Sequence, residues 1–119
     1  MASGTRRITT DVAAGTTEEN ILAGMALEFP GQMSQVEVYA AVIAAGAGDI
    51  IMDVQFGTDL VGEALVVPIE YAAGEGPRVP DHLLLVDGCA GSDRIIIRLR
   101  NTDAVNDHEV YTLVRVQPV

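Results

Sequence analysis

The residues best suited to chemistry lie in a short polar turn near the C-terminus. Asn101, Asp103, Asn106 and Asp107 place carboxylate and amide oxygens within one turn of the chain. Calcium prefers oxygen ligands of this kind, so these four residues are candidate ligands of a calcium ion. Their spacing differs from that of the loop in helix-loop-helix calcium sites. Side chains that hydrogen-bond to the backbone of their own turn account for the same residues, and this alternative stays open.

Two histidines offer a second set of metal ligands. His82 follows Asp81, and His108 stands between Asp107 and Glu109. A fold that brought these two segments together would let imidazole nitrogens and carboxylate oxygens share a metal ion. The simpler interpretation is that both histidines begin strands and face water.

The sequence offers no nucleophile with a base beside it. Ser3, Ser34 and Ser92 all lie outside the Gly-x-Ser-x-Gly pattern of a nucleophile elbow. Cys89 is the single cysteine and forms no disulfide within the chain. A free cysteine is more often a small buried side chain than a reactive one. We therefore expect no enzymatic activity and no cofactor other than the calcium considered above.

The charge and hydropathy of the chain argue against nucleic acid and membranes as partners. Seven arginines, no lysine and 17 acidic residues give a net charge of −10. This argues against nucleic acid, whose backbone is bound by clustered basic side chains. The longest nearly apolar stretch, residues 38–48, is about half as long as a membrane-spanning helix. No apolar signal segment follows Arg6 and Arg7, so we expect neither membrane insertion nor export by a secretory signal.

The acidic composition also indicates what kind of organism the protein comes from. Acidic composition without lysine is typical of proteins from salt-loving archaea, where a carboxylate shell keeps the surface hydrated in high salt. A GC-rich genome, which also replaces lysine by arginine, is the alternative. Neither origin changes the interpretation of the fold.

Alternation of apolar and polar residues with period two dominates the chain and predicts an all-β protein. At 119 residues the chain is long enough for one domain with a single apolar core. About eight strands separated by turn residues are typical of a sandwich or a barrel. The predicted strands span residues 7–10, 16–29, 35–43, 49–56, 64–71, 82–87, 94–100 and 109–117.

Four local features carry further expectations. Residues 16–29 combine strand alternation with helical spacing and a capping box, and we favour a strand because the rest of the chain is β. The Gly-rich turn at residues 46–49 predicts that the strands on either side pair as a hairpin. Pro68 predicts an edge position or a bulge. Three arginines on one face of strand 94–100 call for acidic partners nearby.

Several segments share the strand rhythm of one group of proteins. They are Asn20-Ile21-Leu22-Ala23-Gly24, the Gly-Pro-x-x-Pro loop at residues 76–80, Gly91-Ser92-Asp93-Arg94-Ile95, Leu99-Arg100-Asn101-Thr102 and Val114-Arg115-Val116-Gln117-Pro118. From about Thr16 onward the chain resembles jelly-roll proteins of tailed-virus particles, in particular small capsid decoration or cement proteins. The resemblance implies two four-stranded antiparallel sheets and a symmetric homo-oligomer, a trimer or a pentamer, on the particle surface. Short loops disfavour a role in reading a receptor.

The sequence divides into an arm and a domain. Residues 1–15 are largely polar and are predicted to form an N-terminal arm, whereas residues 16–119 are predicted to form a single antiparallel β-sandwich of jelly-roll type. Arg6 and Arg7 of the arm are candidate contacts to an acidic surface on a neighbouring subunit, with a frayed terminus as the alternative. Deletion of the arm is expected to weaken assembly and leave the monomer fold intact.

These observations predict a non-enzymatic virion protein that binds its own copies and other capsid proteins and is assembled in the host cytoplasm. Strands that are apolar on both faces, such as residues 40–45, are expected to meet another subunit. The alternative function is that of a β-sandwich module that binds a ligand through the calcium turn.

Overall fold

The computed structural model describes residues 4–43, 46, 48–70 and 77–119, and most of their backbone is extended. Within these residues the regular elements are nine β-strands and one short 3-10 helix. In chain order they are β1 (Gly4–Val12), β2 (Thr17–Glu18), the 3-10 helix (Ala26–Glu28), β3 (Ser34–Ile43), β4 (Ile50–Phe56), β5 (Asp59–Val66), β6 (Ile69–Glu70), β7 (Leu83–Cys89), β8 (Ile95–Asn101) and β9 (His108–Pro118).

The strands form two sheets that enclose one core. The larger sheet has the order β1-β9-β3-β6, and β7 pairs with β3 along the same edge as β6; the smaller sheet has the order β2-β8-β4-β5. With the two-residue β6 set aside, the orders β1-β9-β3-β7 and β2-β8-β4-β5 are those of an eight-stranded jelly roll. The prediction of an all-β antiparallel sandwich is therefore confirmed, with β3–β6 as a short parallel pair.

Alternate side chains of the long strands fill the space between the sheets. The fully buried valines and isoleucines of β3, β4, β8 and β9 come from every second position, as the period-two pattern predicts. The buried core side chains of these four strands are Val36, Val38, Ala40, Val42, Ile50, Met52, Val54, Phe56, Ile95, Ile97, Leu99, Val110, Val114 and Val116.

The expected hairpin around residues 46–49 is wrong. β3 pairs with β6, β7 and β9, whereas β4 pairs with β5 and β8 in the other sheet. The chain therefore crosses from one sheet to the other between β3 and β4. A glycine-rich turn between two alternating segments shows where the strands end. It does not show whether they pair with each other, because a hairpin and a connection between two sheets use the same turn residues.

The predicted strand over residues 16–29 is also wrong for most of its length. Only β2 pairs with β8, and turns and the 3-10 helix follow it. Ile21, Leu22 and Leu27 are buried and anchor the segment, whereas Ala23 and Gly24 between them are exposed. The apolar side chains thus enter the core from turns and not from a strand. Turns can bury the same residues without placing them at every second position.

The side chain of Asn20 takes the place of the missing strand. Its Oδ1 accepts a hydrogen bond from the N–H of Ile97 at 3.1 Å, and its Nδ2 donates to the carbonyl of Ile95 at 3.3 Å. The N–H of Ile21 also donates to the carbonyl of Ile97 at 3.0 Å. Asn20 and Ile21 thus continue the hydrogen bonding to β8 beyond the end of β2. The backbone groups of Ile95 and Ile97 at this edge therefore have partners.

The predicted strand over residues 64–71, of which residue 71 lies outside the described residues, is split between the two sheets over residues 64–70. β5 ends the smaller sheet at Val66, and β6 begins in the larger sheet at Ile69. Pro68 lies between them, and its carbonyl accepts a hydrogen bond from the N–H of Val42 at 2.9 Å. Because proline has no N–H to donate, it occupies the point where the chain leaves one sheet for the other.

Most of the segment predicted as an N-terminal arm lies in the larger sheet. β1 pairs with β9 of the same chain from Gly4 to Val12. The side chains of Ile8 and Val12 enter the core, with exposures of 9% and 0%. The sequence pattern understated this strand because the other seven of its nine residues are polar or glycine.

Candidate functional site

Three connections meet at one end of the sandwich. They join β1 to β2, β3 to β4 and β8 to β9, and the last contains the predicted calcium turn. The N–H of Gly15 donates to the carbonyl of Asp103 at 2.9 Å, and the N–H of Thr102 donates to the carbonyl of Asp49 at 2.7 Å. Backbone hydrogen bonds therefore hold the β8–β9 turn against both other connections.

His108 lies between two carboxylates at this end. Its side chain is buried, and its Nε2 lies 3.0 Å from Oδ2 of Asp103 and 3.4 Å from Oδ2 of Asp49. One ligand atom from each of the three residues lies within 4.8 Å of the others. This group can form an ion pair with a protonated imidazole, or can offer one nitrogen and two oxygens to a divalent cation. The grouping of Asp49 with His108 was missed because they come from different connections.

The carboxylate of Asp103 organises the β8–β9 turn. Its Oδ1 accepts hydrogen bonds from the N–H groups of Val105 and Asn106 at 2.9 and 3.2 Å, and its Oδ2 accepts one from Nδ2 of Asn106 at 3.1 Å. The bond from Val105, followed by those from Asn106 and His108, holds the pKa of Asp103 well below its usual range. The acid is therefore kept ionised by the turn it caps.

The other predicted calcium ligands make hydrogen bonds within the protein as well. Asn101 is buried; its Nδ2 donates to the carbonyl of Val12 at 3.0 Å, and its Oδ1 accepts from the N–H of Asp103. Oδ1 of Asp107 accepts a hydrogen bond from the N–H of Ala14 at 2.8 Å. The four residues thus fasten the turn and tie it to the end of β1, as the turn-capping alternative expects.

A second polar cluster lies at the opposite end of β8. Glu28, 7% exposed, follows the turns that replace a strand, and its Oε1 accepts a hydrogen bond from the N–H of Gly24 at 3.0 Å. Its Oε2 accepts from Nε of Arg94 and lies 3.3 Å from Nδ2 of Asn20. The hydrogen bond from Arg94 is the main reason why the pKa of Glu28 is lowered. This cluster fixes the segment that carries Asn20.

The expected acidic partners of the three arginines in and just before β8 are present. Arg94 pairs with Glu28, Nε of Arg98 lies 2.9 Å from Oε2 of Glu19, and Nε of Arg100 lies 3.1 Å from Oδ2 of Asp53. The prediction of acidic groups facing these arginines is therefore confirmed. The pairs cross between β8 and its neighbours, so they brace the outer face of the smaller sheet.

His82 and Cys89 lie apart from the group formed by Asp49, Asp103 and His108. His82 accepts a hydrogen bond at Nδ1 from the N–H of Arg78 at 2.9 Å, and its Nε2 lies 3.9 Å from Oε2 of the buried Glu70. The two histidines therefore have different carboxylate partners. Cys89 is buried, which raises the pKa of its thiol to about 11 and keeps it neutral at ordinary pH.

Arg6 and Arg7 are exposed on β1. Among the described residues they are the two arginines without a contact to a carboxylate. The other five each have one: Arg78 with Glu70, Arg94 with Glu28, Arg98 with Glu19, Arg100 with Asp53, and Arg115 with Glu37. In a chain of net charge −10, two uncompensated cations on one strand are available to a partner.

Apolar side chains are exposed on the side of the sandwich opposite β1. There the edge strands β5 and β7 approach each other, and a Cβ atom on Gly62 would lie 3.5 Å from Cδ1 of Leu85. We call this surface the β5–β7 seam. Its exposed side chains are Leu60, Val66, Leu83 and Val86, and its half-buried ones, which also contact the core, are Val61, Leu65, Leu84 and Leu85.

Comparisons with known proteins give no further guide: no family model matches the chain, and no curated protein has a matching sequence. Among the described residues, no helix is long and apolar enough to cross a membrane.

Proposed function

We propose that this chain is a non-enzymatic structural protein of a virus particle, of the capsid decoration or cement type. It assembles from its own copies into a symmetric oligomer on the particle, where it also contacts other capsid proteins, after synthesis in the host cytoplasm. The observation that supports this proposal is the β5–β7 seam, an apolar surface on an otherwise strongly acidic protein.

The seam has the composition of an interaction surface. Its four exposed side chains are between 39% and 56% exposed and belong to two neighbouring strands, so they form more than a single stray apolar contact. Asp59, Glu63 and Asp87 on the same two strands are exposed around it. An apolar patch with a charged rim is the usual arrangement at protein–protein contacts, because the patch supplies burial and the rim remains solvated.

A second copy of the chain is the occupant that best fits the seam. Burial of leucine and valine against an apolar surface of the neighbouring copy removes both from water at about 25 cal/mol per Å². Contacts repeated around a symmetry axis satisfy every copy in the ring, and the acidic rims stay at the periphery. High salt screens the repulsion between such rims, so assembly should be stronger in molar KCl than in dilute buffer.

The outer face of the larger sheet is a weaker candidate for this contact. The sequence predicted that strands apolar on both faces, including residues 40–45, would meet another subunit. Tyr39, Ala41 and Leu113, which point away from the core in β3 and β9, are already buried within the chain, at 3%, 0% and 2% exposure. The seam therefore offers the apolar surface that this face lacks.

The solution mass of the protein tests the proposal. We would measure it by light scattering after size exclusion, in dilute buffer and in molar KCl, for the wild type and for Val66→Asp and Val86→Asp. We expect a closed trimer or pentamer from the wild type and loss of that oligomer in both variants, which should be no larger than a dimer. Val105→Asp is the matched control, because Val105 is 81% exposed and lies in the β8–β9 turn, away from the seam.

A wild-type monomer in both buffers, or variants that keep the oligomer, would overturn assembly through the seam. Mass spectrometry of purified virus particles from the source culture tests the location separately. Particles without peptides from this chain would overturn the virion assignment even if the protein is an oligomer.

The second candidate function is divalent-cation binding, and the close approach of Asp49, Asp103 and His108 favours it. A nitrogen with two carboxylate oxygens suits zinc better than calcium, which takes oxygen ligands. Titration calorimetry with CaCl2 and with ZnCl2 tests this, with His108→Gln and Asp107→Ala as variants. Zinc heat lost in His108→Gln would support a site at the three residues, and calcium heat lost in Asp107→Ala would support the sequence-based site. No heat with either ion would exclude this function.

A further inference from the structure

The outer edge of β1 has the properties of a strand that pairs with another chain. β1 runs in continuous register with β9 for nine residues, without a bulge or a proline. Within the described residues no other strand pairs with it. Proteins usually protect such an edge with charges, bulges, prolines or a covering segment, because its unpaired N–H and C=O groups bind an extended chain. β1 carries charged side chains but neither a bulge nor a proline.

The charges on β1 are arranged symmetrically about Thr9. Arg7 and Asp11 lie two positions before and after it and therefore project from the same face of the strand. Both side chains are exposed, and neither makes an ion pair with a described residue. A strand with a cation and an anion at equal distances from one point is complementary to itself when reversed.

The neighbouring strand β9 places a second carboxylate opposite Asp11. In the β1–β9 register Asp11 lies directly opposite Glu109, and both are exposed. Like charges opposite each other on paired strands are destabilising. Arg7 of the same strand lies opposite Leu113, so it does not face these two carboxylates.

We propose that β1 pairs antiparallel with β1 of a second copy, about a twofold axis at Thr9. In this register Arg7 faces Asp11 of the second copy, and Asp11 faces Arg7 of the second copy. Each arginine then lies opposite Asp11 of the other chain and offsets part of the negative charge of its pair with Glu109, which lies one strand further away. The larger sheets of the two copies become one continuous sheet across the axis, as in β-strand addition.

The other pairs in this register are compatible with it. Thr9 meets Thr9, Ile8 meets Thr10, and Arg6 meets Val12, so no like charges face each other across the axis. The contact is a single strand pair, smaller than the standard interface of about 1,600 Å², and it gives a weak, reversible dimer. The inference rests on the proposed function only in that copies of the chain associate; β1 and the seam lie on opposite sides of the sandwich.

Charge reversal at the two positions tests the pairing. Sedimentation velocity over a range of concentrations is measured in the seam variant Val66→Asp/Val86→Asp, so that the β1 contact is examined alone. We expect a monomer–dimer equilibrium that Arg7→Glu and Asp11→Arg each weaken by about tenfold or more. The combined Arg7→Glu/Asp11→Arg variant restores opposite charges across the axis and should recover the dimer.

Arg6→Glu is the matched control. It changes the net charge by the same amount as Arg7→Glu on the same strand, but it faces Val12 of the second copy, so the dimer should be weakened much less. Hydrogen exchange gives a second measurement: the outward-pointing amides of residues 6–12, which do not donate to β9, should gain protection as concentration rises, and Arg7→Glu should reduce that gain.

Four results would overturn the pairing. They are a monomer at every concentration, equal effects of Arg6→Glu and Arg7→Glu, no recovery in the combined variant, and protection that does not depend on concentration. Each leaves the seam proposal untouched, because that proposal is tested in the oligomer of the wild type with β1 unchanged. Conversely, a seam that fails its own test does not affect these measurements.

Discussion

The two sides of the sandwich end in edge strands of opposite kinds. On one side β1 is regular, pairs with β9 without a register shift and carries mainly polar side chains. On the other side β5 and β7 are interrupted by register shifts and expose leucine and valine. A regular edge offers its backbone to another strand, whereas bulged edges resist strand pairing and offer side chains.

Different interactions within the chain maintain these two edges. β1 depends on its ladder with β9 and on two core side chains, Ile8 and Val12. The bulge in β5 depends on a buried side chain, because Oδ1 of Asp53 accepts a hydrogen bond from the N–H of Ala64 at 2.9 Å. An edge strand can therefore pair with another chain only where its backbone N–H and C=O groups have no hydrogen-bond partner within the fold.

The largest effect is expected from a charge buried under β1. Val12 is fully buried, so Val12→Asp should lower the free energy of unfolding by about 4 kcal/mol, the penalty typical of a buried unpaired charge. Urea unfolding measures the change, and Thr5→Asp at an exposed position of the same strand is the control. Equal stabilities of the two variants would show that β1 is an independent arm and that its deletion leaves the fold intact, as the sequence suggested.

The β5 bulge should respond to loss of the side chain that holds it. Asp53→Ala removes the acceptor of the Ala64 N–H and the partner of Arg100, whose side chain is 41% exposed. We discount the ion pair for that exposure and expect a loss of about 2 kcal/mol from the hydrogen bond and its desolvated donor. Asp59→Ala, at an exposed position of β5, should change stability little. Equal losses would mean that the bulge does not depend on Asp53.

A smaller effect, confined to acid, is expected at the turn that ties down the end of β1. The folded-state pKa of Asp103 is lowered, so the stability it contributes is present above its unfolded pKa of about 4 and is lost as pH falls below that value. Urea titrations at about pH 6 and about pH 3 should therefore show a shallower acid loss for Asp103→Asn than for the wild type. The exposed Asp81→Asn control should follow the wild type, and parallel behaviour of all three proteins would contradict the assignment.

The smallest effect should be stabilising. Ala64 has a φ of 52°, in the left-handed region that glycine adopts more easily, and its side chain is exposed. Ala64→Gly should raise the free energy of unfolding by about 0.5–1 kcal/mol, because relief of strain exceeds the added freedom of the unfolded chain. Glu63→Gly, one position earlier, should destabilise the protein. A loss of stability in Ala64→Gly would mean that the bulge is not strained.

Much of the fold was predictable from short stretches of sequence. Alternation located β3, β4, β8 and β9 because burial of one strand face is a local pattern, and the arginines of β8 indicated acidic partners before those partners were known. β1 was underestimated because only Ile8 and Val12 carry its apolar signal. The turn at residues 101–107 was predicted as a candidate calcium site with side-chain capping as the alternative; its side chains do cap the turn, and calcium binding stays a prediction. Its association with Asp49 could not be predicted because Asp49 belongs to another connection.

The sequence by itself determined that this protein is an all-β chain with one core, a strongly acidic composition and a polar turn between its last two strands. Only the tertiary structure decided which sheet each strand joins, which edges stay open and which side chains meet. The physical reason is distance along the chain: Asn20 completes the edge of β8 through a bond to Ile97, 77 residues away. Local periodicity reports which face of a strand is buried, but the identity of its neighbours depends on packing of the whole molecule.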